Sequence, residues 1–426
     1  IKPTEDGYVI TEFLPDVPWS GKHNTICCSA GHHFYEGRWL YNRKYLSDYA
    51  EFWFTEGAKP RLYSFWSADS ILALCKVTGD LTVARELYNG IKNNWLEWEK
   101  TNMRECGLFY QIDDRDGMEF SVSGNGYRPT INSYMCGDAL AISQIARLLG
   151  KEDESGLFYD KYSKLKELIN TKLWNAEADF YMTLAENGNY GFSGVREEIG
   201  YIPWYFNIPD DEKTAAWRFL NDEKYFKAPF GPTTVEKNHP EFMREHPHDC
   251  LWNGSSWPFA TSQTLTALGN LISNYNQTLM KKSDYYDLVD TYAKSQYLNG
   301  EPFIDENIDP FTGAWAVRER LHSQTPLPDD AERGKDYNHS TFCDLVIGGL
   351  AGVRPSLDST VTVNPLFGED DLEYFCADGI LYHGHYITVV WDKTGERYNK
   401  GRGLTVLCDG ETAGTMPVPS AVKFSI

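Results

Sequence analysis

Apolar residues recur at helical spacing through most of the first 355 positions, and this periodicity limits the possible folds more than any other feature. Residues 36–55 carry Trp39, Leu40, Tyr45, Leu46, Tyr49, Phe52 and Trp53 and stop at Gly57. Residues 64–78 end at Gly79, and a third helix is predicted over about 81–99. Ile142, Ile145, Ala146 and Leu149 follow the i, i+3, i+4, i+7 template within 132–150, which closes at Gly150. Glycine ends helices well because it adopts the left-handed conformation without a Cβ penalty. Tyr162, Leu165 and Ile169 mark the next helix, and 193–206 and 210–221 read as another pair. Further helices are predicted over 257–273, around Tyr285 to Tyr292, and over 337–352, before Pro355. Ten or eleven helices in about 330 residues, joined by alternating short and long connections, fit a mainly α fold of the (α/α)6-barrel type. Antiparallel pairs closing into a toroid would put the long connections (104–129, 223–251 and 300–336) at the mouth of a funnel. No fixed-period repeat stands out, which argues against a solenoid.

The pattern changes past residue 355. Thr360-Val361-Thr362-Val363, Ile387 to Trp391 and Leu404 to Leu407 are β-branched or alternating, and Asp409-Gly410 is a hairpin-turn signal. The expected organisation is an N-terminal lead-in with a short strand (1–25), a catalytic helical barrel (26–355) and a small β-rich domain (356–426). The lead-in strand is expected to help complete that thin β domain.

Composition narrows the partners. Aromatic residues make up 15% of the chain, with 13 Trp, 27 Tyr and 22 Phe, and aromatic faces suit both a core and the C–H faces of sugars. The formal charge of −21 repels phosphate backbones, so nucleic acid is excluded as a natural partner and polyanionic polysaccharides are disfavoured. Nine scattered cysteines form no CxxC pair, and His32, His33, His246 and His248 lack metal-site spacing, so no metal or cofactor is expected. No apolar run reaches membrane-span length, so no membrane partner is expected. The chain opens on Ile1, which is compatible with a removed leader, and a periplasmic or extracellular setting is favoured over a cytoplasmic one. Oligomeric state is not legible in the sequence.

Chemistry concentrates in a few stretches. The long loop from Gln111 holds Asp113, Asp114, Asp116 and Glu119, which repel one another unless solvated or ligand-bound. Met118 and Phe120 flank Glu119, and an apolar surround raises a carboxyl pKa, as a general acid requires. In the stretch Phe303 to Gly313, Glu306 stands just ahead of Asp309-Pro310 and Gly313, a turn signal that implies a rigid loop. Trp252 to Phe259 suits a loop entering a helix, Asp69 lies near a helix start, and Arg196 to Tyr205 contributes Glu197, Glu198 and Trp204.

Together these pieces resemble the inverting glycosidases of the mannosylglycerate-hydrolase, glycoside hydrolase family 63 and trehalase group. Gly117-Met118-Glu119-Phe120-Ser121 is similar to the group's Gly-Trp-Asp-x-Ser acid stretch, and Trp252 to Pro258 matches its Trp-x-Gly-x-x-Trp-Pro. Asp305 to Gly313 resembles its Tyr-Glu-x-Tyr-Asp-Pro-x-Thr-Gly base stretch, and Gly231-Pro-Thr-Thr-Val looks like its Gly-x-Pro-Thr-Val loop. Glu119 replaces the usual Asp, and Asp305 replaces the usual Tyr. The resemblance implies a hydrolase acting on an oligosaccharide or glycoside, α-linked and exo-acting, with inversion. Glu119 is then the acid and Glu306 the base, with Asp113, Asp114 and Asp116 as alternatives for the acid. Inversion calls for carboxyls about 6.5–9.5 Å apart. Trp66, Trp252 and Trp257 are candidate sugar platforms. Asp69, Asp113, Asp116 and Arg128 are candidates to grip hydroxyls, and Glu197, Trp204 and Asn253 are further substrate contacts. A polysaccharide lyase on a helical toroid, or a non-catalytic carbohydrate-binding protein, is the alternative.

Overall fold

The computed structural model describes residues 1–186, 191–246, 248 and 250–426. Six helical segments form a buried inner layer: Ala30–Gly37, Ser67–Thr78, Pro129–Leu148, Ile202–Tyr205, Pro258–Asn274 and Leu345–Leu350. Each packs against the next in this order. The last meets the first through Glu36, whose carboxylate accepts the backbone N–H groups of Phe342, Cys343 and Asp344 at 2.9, 3.0 and 3.2 Å. Arg38 adds a 2.7 Å ion pair to Asp344. Pro129–Leu148 is buried along nearly all its length, as an inner helix that is apolar on every side must be. By contrast, Thr82–Asn102, Glu152–Leu168 and Lys282–Ser295 bury a single stripe and form an outer layer.

Local chemistry explains where the helices depart from the predicted bounds. The 36–55 helix is split into Ala30–Gly37 and Lys44–Phe52, because Arg38 turns inward to Asp344 and Asn42 Oδ1 accepts the Lys44 N–H. Over 193–206 only Glu198–Tyr201 and Ile202–Tyr205 are helical. The residues before them are extended, held by the Glu197–Val235 bridge and the Arg196–Glu236 ion pair. The long 300–336 connection contains a helix, Ala316–His322, and 337–352 supplies only the wide turn Leu345–Leu350.

The C-terminal strands form two antiparallel sheets. One has the order Glu411–Met416, Gly403–Cys408, His385–Asp392, Tyr374–Tyr382; the other has Val422–Ser425, Thr360–Val363, Val353–Arg354. Asp409 and Gly410 take φ of 50° and 85°, as a two-residue hairpin turn between twisted strands requires. The apolar core between the sheets (Val361, Val389, Trp391, Val406) is continuous with Trp39 and Val77 of the helical body. The N-terminal strand does not join these sheets, contrary to expectation. Lys2–Thr4 and Gly7–Val9 form their own hairpin on the helix Lys44–Phe52, fixed by a 3.0 Å bond from Tyr8 N–H to Asp48 and by the Tyr8–Tyr45 edge contact.

Candidate active site

The acid-rich loop after Thr82–Asn102 is stiffened by a buried ion pair. Arg128 donates to Asp116 at 2.5 Å, and both side chains are wholly enclosed. Asp116 also accepts from Ser64 Oγ at 2.7 Å and from Thr130 Oγ1. Arg128 reaches on to Ser121 Oγ and Ser123 Oγ at 3.0 and 3.1 Å, and Glu197 accepts the Ser123 N–H at 3.1 Å. Glu119 lies between the two ends of this network, on a segment bent by Gly117 (φ 72°) and Phe120 (φ 57°). Asp116, Arg128 and Glu197 are therefore structural partners of the loop, and none of the three lines the cavity that Glu119 faces. A carboxylate and an arginine in sequence look the same whether they bind one another or a ligand.

Glu306 is held as firmly. Asp305 Oδ1 accepts the Glu306 N–H at 2.7 Å, while Asp305 Oδ2 meets buried Arg318 at 2.7 Å. The turn beyond it is made by Asp309, whose Oδ1 accepts from Phe311 and Thr312 N–H at 2.9 Å each. Gly334 crosses so close that a Cβ there would lie 2.2 Å from Asp305 Oδ1. Asp305, standing where the resembling motif has Tyr, thus anchors the Glu306 loop through an ion pair.

Glu119 and Glu306 line one cavity of about 310 Å³, together with Glu12, Trp19, Trp257 and Tyr337. Asp114, Cys28, Cys250, Arg333 and His339 also reach it. Burial pushes Glu119 up to about 7, with the carboxylates of Asp114, Asp113 and Glu12 adding to the rise. Burial pushes Glu306 up to about 8; Asp305 and Glu119 add to this, and Arg333 and the Cys250 thiol oppose it. Cys250 Sγ lies 3.5 Å from Glu306 Oε2. Both carboxyls are thus held well above the ordinary carboxylate range on one cavity.

The remaining predicted contacts are dispersed. Trp257 lines the cavity, its indole N–H bonded to Leu251 O at 3.0 Å, and Trp252 stacks behind it at 4.4 Å. Asp113 stands at the loop's edge, receiving Ser121 Oγ at 3.4 Å. Asn253 donates to the Glu241 and Arg244 carbonyls and so braces its own loop. Trp66 and Trp204 are completely buried among aromatic rings, outside the cavity, and Trp66 packs against Gly31, where a Cβ would lie 2.3 Å from the indole. Asp69 accepts from Tyr35 at 2.6 Å and lines a different cavity of about 740 Å³, between the inner helices and the C-terminal strands. Glu12, Trp19, Tyr63, Cys250, Arg333 and Tyr337 were not singled out from the sequence; only the Trp and Glu of a Pro-rich opening segment hint at the first two.

A family model described as the mannosylglycerate hydrolase MGH1-like glycoside hydrolase domain matches residues 22–340. A solved structure described as a sialidase is 42% identical, with a TM-score of 0.93, over 99% of this chain and 39% of that one. The GH63 mannosylglycerate hydrolase from Thermus thermophilus, in complex with glucose, is 13% identical with a TM-score of 0.53, over 67% of this chain and 87% of that one. Neutral trehalase from Saccharomyces cerevisiae is 11% identical with a TM-score of 0.53, over 74% and 70%. An uncharacterized protein of Borreliella burgdorferi is 26% identical over 159 residues, 36% of this chain and 33% of that protein. The chain thus spans well under half the length of the sialidase, and its match covers a third of the Borreliella protein. The distant hydrolases share its six-hairpin glycosidase-like fold. With three quarters of its length matched and two raised carboxyls facing one cavity, the chain belongs to the MGH1-like glycoside hydrolase family.

Proposed function

We propose that this domain hydrolyses a glycosidic bond with inversion, using Glu119 and Glu306 as its acid–base pair on a closed (α/α)6 barrel. The succession of six inner segments, joined end to end through Glu36 and Asp344, supports the barrel. The observation that carries the function is the pair itself: two carboxyls from loops far apart in sequence, both raised by burial, on one cavity.

In this reading Glu119 protonates the departing oxygen while Glu306 draws a proton from a water that attacks the anomeric carbon from the opposite face. Each transfer contributes on the order of 10²–10⁴ in rate. Trp257 and Tyr337 supply apolar walls for the ring. The half-enclosed pocket suits a terminal sugar, and the resemblance to the trehalase and mannosylglycerate-hydrolase group favours an α-linked one. The sialidase's name suggests a carboxylate-bearing sugar. The lining opposes that, since Glu12, Asp114, Glu119 and Glu306 outnumber Arg333. A neutral glycoside fits better.

A second reading exchanges the two roles, because Glu306 is raised further than Glu119 and so holds its proton more firmly. Hydrolysis of a glycosyl fluoride separates the readings, since fluoride leaves without an acid's help. In the favoured reading Glu119→Gln still cleaves the fluoride and Glu306→Gln does not; the exchanged reading reverses this. Proton NMR of the first product tests inversion: the opposite anomer is expected, and the same anomer would overturn it.

A further inference from the structure

Part of the cavity wall comes from residues 12–28, most of them ahead of the region matched by the family. The segment closes on itself as a compact loop. Glu12 N–H donates to Asn24 O at 2.8 Å, and Gly21 N–H to Thr25 O at 2.7 Å. The buried Asn24 side chain braces the inside, accepting from Val17 N–H at 3.1 Å and donating to Phe13 O at 2.6 Å. Asn338 Nδ2 ties the loop to the helical body by a 2.8 Å bond to Thr11 O.

Glu12 is a buried carboxylate whose two oxygens both point back into the loop. Oε1 accepts the Trp19 indole N–H at 3.0 Å, and Oε2 accepts Ser20 Oγ. The indole is thereby held by its edge, with its surface 42% exposed. The other cavity-lining rings that belong to the core present little surface: Phe13 is 5%, Tyr63 8%, Trp257 3% and Tyr337 4% exposed. Trp19 is thus a rigid, solvent-open aromatic face on the same cavity as Glu119 and Glu306. A fixed aromatic face loses little entropy when a ring of C–H groups stacks on it.

We propose that Trp19 is the platform for the neutral sugar ring on the leaving-group side of the scissile bond, and that Glu12 is its positioning residue. This rests on the hydrolase reading above, and makes the loop a specificity element carried by this chain outside the shared family region. The pocket around the acids takes the terminal sugar, and the open indole receives the next unit toward solvent.

The test uses the whole chain and the oligosaccharide it turns over fastest in an array of neutral plant and host oligosaccharides. Trp19→Ala is expected to raise KM about tenfold with kcat changed less than twofold, and Trp19→Phe to recover most of that loss. Glu12→Ala, measured at its own pH optimum, shifts KM in the same direction, and adding it to Trp19→Ala brings no further rise. An unchanged KM in folded Trp19→Ala overturns the proposal while leaving the hydrolase reading intact. If the wild type turns over none of the array, the hydrolase reading fails instead. Calorimetric binding of maltotriose and of cellotriose then decides the platform: an affinity about tenfold weaker in Trp19→Ala supports it, and an equal affinity, or no binding to either by the wild type, overturns it.

Discussion

Trp252 donates its backbone N–H to the Glu119 carbonyl over 3.2 Å. Four residues on, Ser256 exchanges two backbone bonds with Ile308, at 3.0 and 2.9 Å, just past Glu306. The segment between is a bracket that sets the Glu119 loop against the Glu306 loop. Its bend is made by Gly254 at φ 149°, where a Cβ would lie 2.6 Å from Met243 Cγ and 3.0 Å from Met243 N. Gly254→Ala is therefore expected to lower kcat at least tenfold with a smaller change in KM, because misplacement of catalytic groups acts mainly on the chemical step. Steady-state kinetics check this, and an unchanged kcat would remove the bracket from the account.

The Arg128–Asp116 pair is expected to act on stability more than on ligand affinity. Removing one partner strands a buried charge, so Arg128→Met should cost about 3–5 kcal/mol by urea denaturation. If Arg128→Met kept its stability and lost only substrate affinity, the arginine would be a ligand group, as the sequence alone suggested.

The profile of kcat/KM against pH should be a bell with its crest between about 7 and 8, set by burial of Glu119 and Glu306. Below that range both carboxyls are protonated and the base is lost; above it both are ionised and the acid is lost. The Cys250 thiol stabilises ionised Glu306, so Cys250→Ala should raise the Glu306 pKa. The basic limb of the bell follows the higher of the two values, so it moves to higher pH in this variant, and a basic limb that stays in place would remove the thiol contact from the account.

Stability should carry the same signature. Folded Glu306 keeps its proton to about 8, whereas the unfolded chain releases it near 4.5. Between those values the unfolded state binds fewer protons, so stability falls as pH rises through the window. Glu306→Gln removes this contribution. Its Tm, relative to wild type, should be higher at pH 8 than at pH 5 by differential scanning calorimetry, and a difference independent of pH would refute the burial argument.

Much of this arrangement was legible in the amino-acid order. The inner helices Ser67–Thr78 and Pro258–Asn274 follow from apolar periodicity with Gly79 and Pro258 as their punctuation. The Asp309-Pro310 turn was readable because one carboxylate can satisfy two successive N–H groups there. The cavity wall from Glu12 to Cys28 was not, since nothing local in that segment encodes its long-range tie through Asn338. Nor could Asp116 and Arg128 be told from ligand groups, because burial and pairing are properties of the folded chain. Trp66 and Trp204 illustrate the same limit: an aromatic side chain can serve a core or a sugar, and only packing decides.

The central claim is tested most directly by kcat/KM of Glu306→Gln and Glu119→Gln on the preferred unactivated oligosaccharide, with folding verified by circular dichroism. The account predicts that each falls by at least about 10²-fold while ligand binding persists. Either variant within twofold of wild type would contradict it.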